Sequence, residues 1–139
     1  VTLHVEVVSP ERILYTGEAS FVRARTIGGG EIAFLTGHTP FVGALDIASV
    51  LVRSEAGDEE LIAVHGGFVE VSKDRVTILS DVAELASQID VERARQAQAR
   101  AEEALRVDDT DAAARDALAR ALVRLEVSGI AATGARSPH

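Results

Sequence analysis

Residues 76–100 read VTILSDVAELASQIDVERARQAQAR, and the hydrophobic period changes inside this stretch. Up to about residue 85 apolar and polar residues alternate or run briefly together, as in a half-buried strand. From Ile89 onward the composition turns to Ala, Arg, Glu and Leu. Ala94, Ala97, Ala101, Ala104 and Leu105 then share one face of a helix. A β-part and a helical part therefore meet here. The expected organisation is a β-domain over 1–86, a two-helix domain over 87–129 and a flexible tail over 130–139.

Toward the N-terminus the period-two pattern continues. LHVEVVS, RILYTGEASFVRART, EIAFL, PFVGAL, SVLVR, LIAVHGGFVEV and RVTILS are rich in Val, Ile, Phe and Thr. Turn signals separate them: SPER, TIGGGE, TGHTP, SEAGDEE, HGG and SKDR. Short strands at such close spacing predict antiparallel pairing, because parallel neighbours need long crossovers. The fold class is thus β + α, with an N-terminal antiparallel β-sandwich or flattened barrel. Toward the C-terminus the loop VDDTD supplies several N-cap residues. Ala114, Leu118, Ala121, Leu122 and Leu125 then mark a second helix, so residues 90–127 predict an antiparallel α-helical hairpin. The tail SGIAATGARSPH has no period.

Composition narrows the function. The 139 residues carry a net charge of −8, which argues against a general nucleic-acid binder. The negative excess belongs to residues 1–88, with 13 acidic and 6 basic groups against 9 and 8 in residues 89–139. There is no cysteine, hence no disulfide and no thiolate metal site. No run approaches the roughly 18 apolar residues of a membrane span. The start VTLHVEVVSP alternates like a strand and lacks the profile of a signal peptide. His4, His38, His65 and His139 stand beside no carboxylate at ligand spacing, so no metal site is expected. TIGGGEIAFL is followed by a strand rather than the helix a phosphate loop opens, and reads as a permissive turn; HGGF reads the same way. No catalytic constellation stands out, and the chain is not expected to be an enzyme by itself.

The hairpin has more to offer. Its first helix presents mostly alanines, whose methyl groups bury little area, so the hairpin should need a docking surface. Alternative surfaces could hold it in alternative states. Arg93 and Arg100 lie close together on the helix wheel, at the edge of the alanine face, and Arg120 and Arg124 lie one turn apart on the second helix. These arginines form either a solvated basic stripe or a surface for an acidic partner or phosphate-bearing ligand.

Taken in order, VEVVSPERILYTGEASFVRART, GEIAFLTGHTPFVGAL, HGGFVEV with VTILSDVAE, IDVERA and LARALVRLEVSG resemble the epsilon subunit of the bacterial F-type rotary ATP synthase. The resemblance spans residues 3 to about 129. It departs from the family at Thr36, where proline is usual, near Ile47-Ala48, where the family has a Pro-Gly turn, and in the extra glycine of GGGE. It implies a non-catalytic central-stalk subunit of a proton-translocating complex, peripheral on the cytoplasmic face of the plasma membrane and held there only through the complex. It implies a β-domain bound to the gamma subunit and the c-ring. The hairpin would fold down on the β-domain or extend toward the alpha and beta subunits, inhibiting ATP hydrolysis when extended. Partner contacts would fall at Glu31, Gly37, His38, Arg115, Arg120 and Arg124. No cofactor is required, with ATP as a possible regulatory ligand. The competing reading is a free-standing nucleotide-sensing adaptor with the same two parts.

Some members of that family bind ATP through an I/L-D-x-x-R-A motif. The resemblance carries such a role to Ile89, Asp90, Arg93 and Ala94, with Arg100, Glu84 upstream, and Arg120 and Arg124 on the second helix. Helix initiation accounts for part of this set independently: Asp90 is a good N-cap, and Ile89 and Ala94 hold staple positions. It gives no reason for Arg93, since a cation in the first turn is mildly unfavourable. If the leucines of the second helix face the alanines of the first, Arg120 and Arg124 point away from the seam. That arrangement favours contact with an acidic partner.

Overall fold

In the computed structural model, which describes residues 2–129, the alternating segments form β1 (Leu3–Val8), β2 (Ile13–Ala19), β3 (Phe21–Thr26), β4 (Gly30–Phe34), β5 (Phe41–Arg53), β6 (Glu59–Ser72), β7 (Arg75–Leu79) and β8 (Ala83–Leu85). A 3-10 turn over Ala86–Gln88 leads into α1 (Val91–Val107) and α2 (Ala112–Val127). The tail expected over 130–139 lies outside the described residues. The strands hydrogen-bond in the order β2-β1-β7-β6-β5-β3-β4, with β8 added to β6. Their inward residues meet in one core, including Val5, Val22, Phe34, Val50, Ile62, Val71 and Ile78. The result is a flattened sandwich carrying a helical hairpin.

Three local expectations need correction. Pairing is antiparallel except between β1 and β7, which run parallel from His4↔Arg75 to Val8↔Leu79. Short spacing constrains strands that are neighbours in sequence; here most of the sandwich serves as the crossover. Next, PFVGAL and SVLVR join into the single strand β5, so no turn forms at Ile47-Ala48. Finally, HGGF does not join two strands by a turn but lies inside β6.

Gly66 and Gly67 have φ of 85° and 122°, a kink that L-residues rarely adopt. Across this kink the inward face changes parity. Ile62 and Val64 point into the core before it, Val69 and Val71 after it. On β5, Leu45 and then Val50 and Val52 make the same change. The ladder keeps its register, from Leu45↔Gly67 to Ile47↔His65. One long strand pair thereby serves both layers of the sandwich.

The parity change leaves Ile47, Ser49, Leu61, Ala63 and His65 on the outer side of β5 and β6. There α2 docks, with Val123 and Val127 against Ala63 and with Ile47, Leu61 and Ile89 at the margin. α1 packs on α2, burying Ala94, Gln98 and Ala101 on one side and Ala114, Ala121 and Leu125 on the other. Asp90 caps α1 by accepting the Arg93 amide at 3.1 Å, and Asp111 caps α2 by accepting that of Ala114 at 3.0 Å.

Candidate functional site

The junction between sandwich and hairpin is held by side-chain hydrogen bonds between segments distant in sequence. Period two along β8 turns Ala83 and Leu85 inward and Glu84 outward, directly across the ladder from Ala63. Two residues along β6 the same outward face presents His65. Glu84 Oε1 accepts a hydrogen bond from His65 Nε2 at 2.8 Å and from Arg124 Nε at 2.8 Å. The three side chains are 23%, 3% and 29% exposed, so the bridge is largely withdrawn from water. On the other edge of α2, the buried Ser49 hydroxyl donates to Glu126 Oε2 at 3.1 Å.

This setting perturbs both titratable groups. Burial pushes the His65 pKa down; its bond to Glu84 opposes that, and the charges of Arg124 and Arg120 reinforce it, leaving a net fall. Burial alone would raise Glu84, but hydrogen bonds from Arg124 and His65 outweigh it and hold the carboxyl below its ordinary range.

Beside the bridge lies a cleft of about 360 Å³. Glu84, Gln88, Asp90, Arg93, Ala94, Ala97, Arg100 and Arg124 line it. Local structure explains the set. Gln88 accepts the Leu85 amide at 2.9 Å and closes the 3-10 turn, which delivers Asp90 as the cap of α1. Arg93 and Arg100, two turns apart, then form one wall over the Ala94–Ala97 surface. Both are exposed, and neither makes an ion pair among the described residues. Two open guanidiniums beside a third, already held by a carboxylate, suit an anion with several charged oxygens.

Of the eight residues that the sequence grouped around a nucleotide, six border this cleft. Ile89 instead packs into the cluster beneath α2, and Arg120 stays on α2 within electrostatic reach of His65. In the docked hairpin Arg124 turns to the sandwich rather than to an outside acidic partner: it bonds Glu84 and borders the same cleft as Arg93 and Arg100. α2 has two packing faces, one on α1 and one on the sheet, and the leucine stripe reports only the first. Val123 and Val127, apolar but off that stripe, were the signal of the second. His65 and Gln88 escaped sequence reasoning, because their partners depend on strand register and on a single turn.

The remaining residues expected to contact partners lie elsewhere. Glu31 pairs with Arg25 at 3.4 Å on β4, and the Gly37 amide donates to Asp74 at 2.8 Å. His38 packs edge-on to Phe34, and Arg115 donates to the Asp109 carbonyl at 2.6 Å at the start of α2. Among the described residues there is no group of three or more His, Asp or Glu placed to hold a metal.

Comparison with known proteins matches both parts of the chain. Residues 2–86 match the β-sandwich domain, and residues 87–129 the long α-helix domain, of the ATP synthase delta/epsilon chain. The ATP synthase epsilon chain of Streptomyces griseus is 41% identical, over 92% of this chain and 96% of its own. That of Brevibacillus brevis is 50% identical over 73% of this chain and 76% of its own. Among solved structures, a chain in the cryo-EM structure of Euglena gracilis mitochondrial ATP synthase superposes with a TM-score of 0.68 at 22% identity. That match covers 91% of this chain and 77% of the other and concerns the fold. On the strength of both domain matches and the end-to-end relatives, the chain belongs to the family of ATP synthase epsilon chains, non-catalytic subunits of that complex.

Proposed function

We propose that the chain is a central-stalk subunit whose sandwich binds the gamma subunit and the c-ring, while its hairpin regulates ATP hydrolysis. In this reading the hairpin rests on the sandwich, as described above, or lifts toward the alpha and beta subunits, where it inhibits. The complex sits at the cytoplasmic face of the membrane and reaches the lipid only through partners; no helix among the described residues is long and apolar enough to cross. The observation that carries the reading is the slight apolar contact under α2, Ala63 with Val123 and Val127, beside a separate and much larger sandwich core. A permanently fixed hairpin would be expected to share that core.

The cleft is proposed to bind ATP as a regulatory ligand. Its volume falls at the lower end of small-molecule sites, and its three arginines match a polyphosphate. Bound ATP would supply the negative charge that joins α1 to the α2–β8 side. The protein's part is to present Arg93 and Arg100 on the wall of α1 and Arg124 opposite, with Asp90 fixing the start of the helix. Each arginine contact with a phosphate is worth about 1.5–3 kcal/mol. Calorimetric titration of the full chain with ATP should therefore give saturable binding, weakened at least tenfold in Arg93→Ala and in Arg100→Ala. Equal affinities in all three would end the ligand reading. Co-purification with the gamma subunit tests the stalk role separately.

A further inference from the structure

We propose that the His65–Glu84–Arg124 bridge is an acid-released latch: it holds the hairpin on the sandwich while His65 is neutral and lets go when His65 takes a proton. The inference rests on the reading that the hairpin can lift, and adds a ligand, the proton, that acts without nucleotide.

The geometry assigns the tautomer of the neutral ring in the docked form. The Glu84 carboxylate is an acceptor only, so His65 Nε2 carries the hydrogen and Nδ1 is left with its lone pair. Nδ1 is buried and has no hydrogen-bond partner. Protonation would place an N–H there, facing no acceptor, in a side chain only 3% exposed. It would also add a cation beside two others. The charged groups that act on His65 are Glu84 from β8 and Arg120 and Arg124 from α2. Across the ladder on β5 stands the apolar Ile47, and Asp81 on the β7–β8 connection lines a neighbouring hollow with His65. One carboxylate is thus shared between an arginine and the imidazole.

Lifting α2 removes both arginines and opens the ring to water. The proton is therefore bound more tightly in the undocked form, and docking and protonation oppose each other. The sign is fixed. Docking is fully favourable above the ordinary histidine pKa and weakens as pH falls below it. With an ordinary pKa of about 6.5 in the undocked form, a one-proton latch weakens docking by up to about tenfold between pH 7.5 and pH 5.5, the full factor applying when the docked ring stays neutral throughout.

The natural chain has no cysteine, which allows a direct test. In Val123→Cys the new thiol lies under α2 and reacts with a thiol reagent only when the hairpin lifts. Val5→Cys, in the sandwich core, reports global unfolding. After correction for thiolate content at each pH, the Val123→Cys opening constant should rise as pH falls, by up to about tenfold over that interval, and His65→Gln should abolish the rise. A flat profile, or the same rise in His65→Gln, overturns the latch and leaves the movable hairpin standing. Labelling at position 123 no faster than at position 5 at every pH overturns both. As a check that needs no substitution, the His65 ring in the full chain should titrate by NMR below the ordinary histidine range. A normal midpoint would also sink the latch.

Discussion

If the hairpin is a unit docked by a small patch, weakening that patch should free the hairpin and leave the sandwich intact. Val123→Ala tests this. Val123 is 4% exposed and touches Ala63 and the flank of β5–β6, not the sandwich core. Removing two methyl-sized groups forfeits about 1.5 kcal/mol of transfer free energy at roughly 0.8 kcal/mol each. The void left behind adds up to about 1 kcal/mol, depending on how far α2 settles onto the sheet. A loss near 2 kcal/mol raises the opening constant about thirtyfold.

Amide hydrogen exchange resolves where the loss falls. Amides in the middle of α1 and α2 should lose about thirtyfold protection, while those of Val5 on β1 and Val76 on β7 should keep theirs. If β1 and β7 lose protection equally, the chain opens as one cooperative body. The hairpin would then be no independent arm, and the functional reading built on it would fail.

Two further outcomes follow from particular residues. In Gly67→Ala a Cβ would overlap the Leu79 carbonyl oxygen at a φ of 122°, a clash with backbone that no rotamer relieves. The sandwich should lose roughly 2–4 kcal/mol, with a fall in Tm on the order of 10 °C by calorimetry, and an unchanged Tm would refute the face-exchange role of the kink. The second concerns Glu84. Burial alone would raise its pKa, but the bonds from Arg124 and His65 hold it below the ordinary carboxylate range. Its contribution to docking is therefore present above that range and lost as pH falls through the depressed value. Helix amides should show a second loss of protection below pH about 4.5, absent in Glu84→Gln; persistence of that step in the variant would assign it to another carboxylate.

The parts legible in the sequence are those set by local rules. A change from period two to helical spacing near Ile89 marks the border of sandwich and hairpin because each period is a property of adjacent residues. Asp90 was readable as a cap for the same reason, and the loop VDDTD offered several candidates from which the structure uses Asp111. Gly66-Gly67 was misread because a turn and an in-strand kink require the same positive φ; only the pairing of Leu45 with Gly67 and Ile47 with His65 tells them apart. The parallel β1–β7 pair depends on how the whole sandwich closes, and no local pattern encodes that. The site divides the same way. Arg93, Ala94 and Arg100 follow from helical geometry, whereas the meeting of His65, Glu84 and Arg124 requires strand register and the second packing face of α2.

That second face links the cleft to the latch. Arg124 belongs to both, since it borders the cleft and holds Glu84. An anion that engages Arg93 and Arg100 while the Glu84–Arg124 pair stays intact draws α1 toward the sandwich and adds to docking. An anion that takes Arg124 from Glu84 leaves a carboxylate bonded to His65 alone, and loosens the contact it entered beside. The position of one guanidinium thus decides whether a ligand of this cleft closes the hairpin or releases it. The proton acts on the same carboxylate from the opposite side, through His65. If the cleft binds nucleotide as proposed, nucleotide and proton meet at Glu84, and a change of that one residue should alter the response to both.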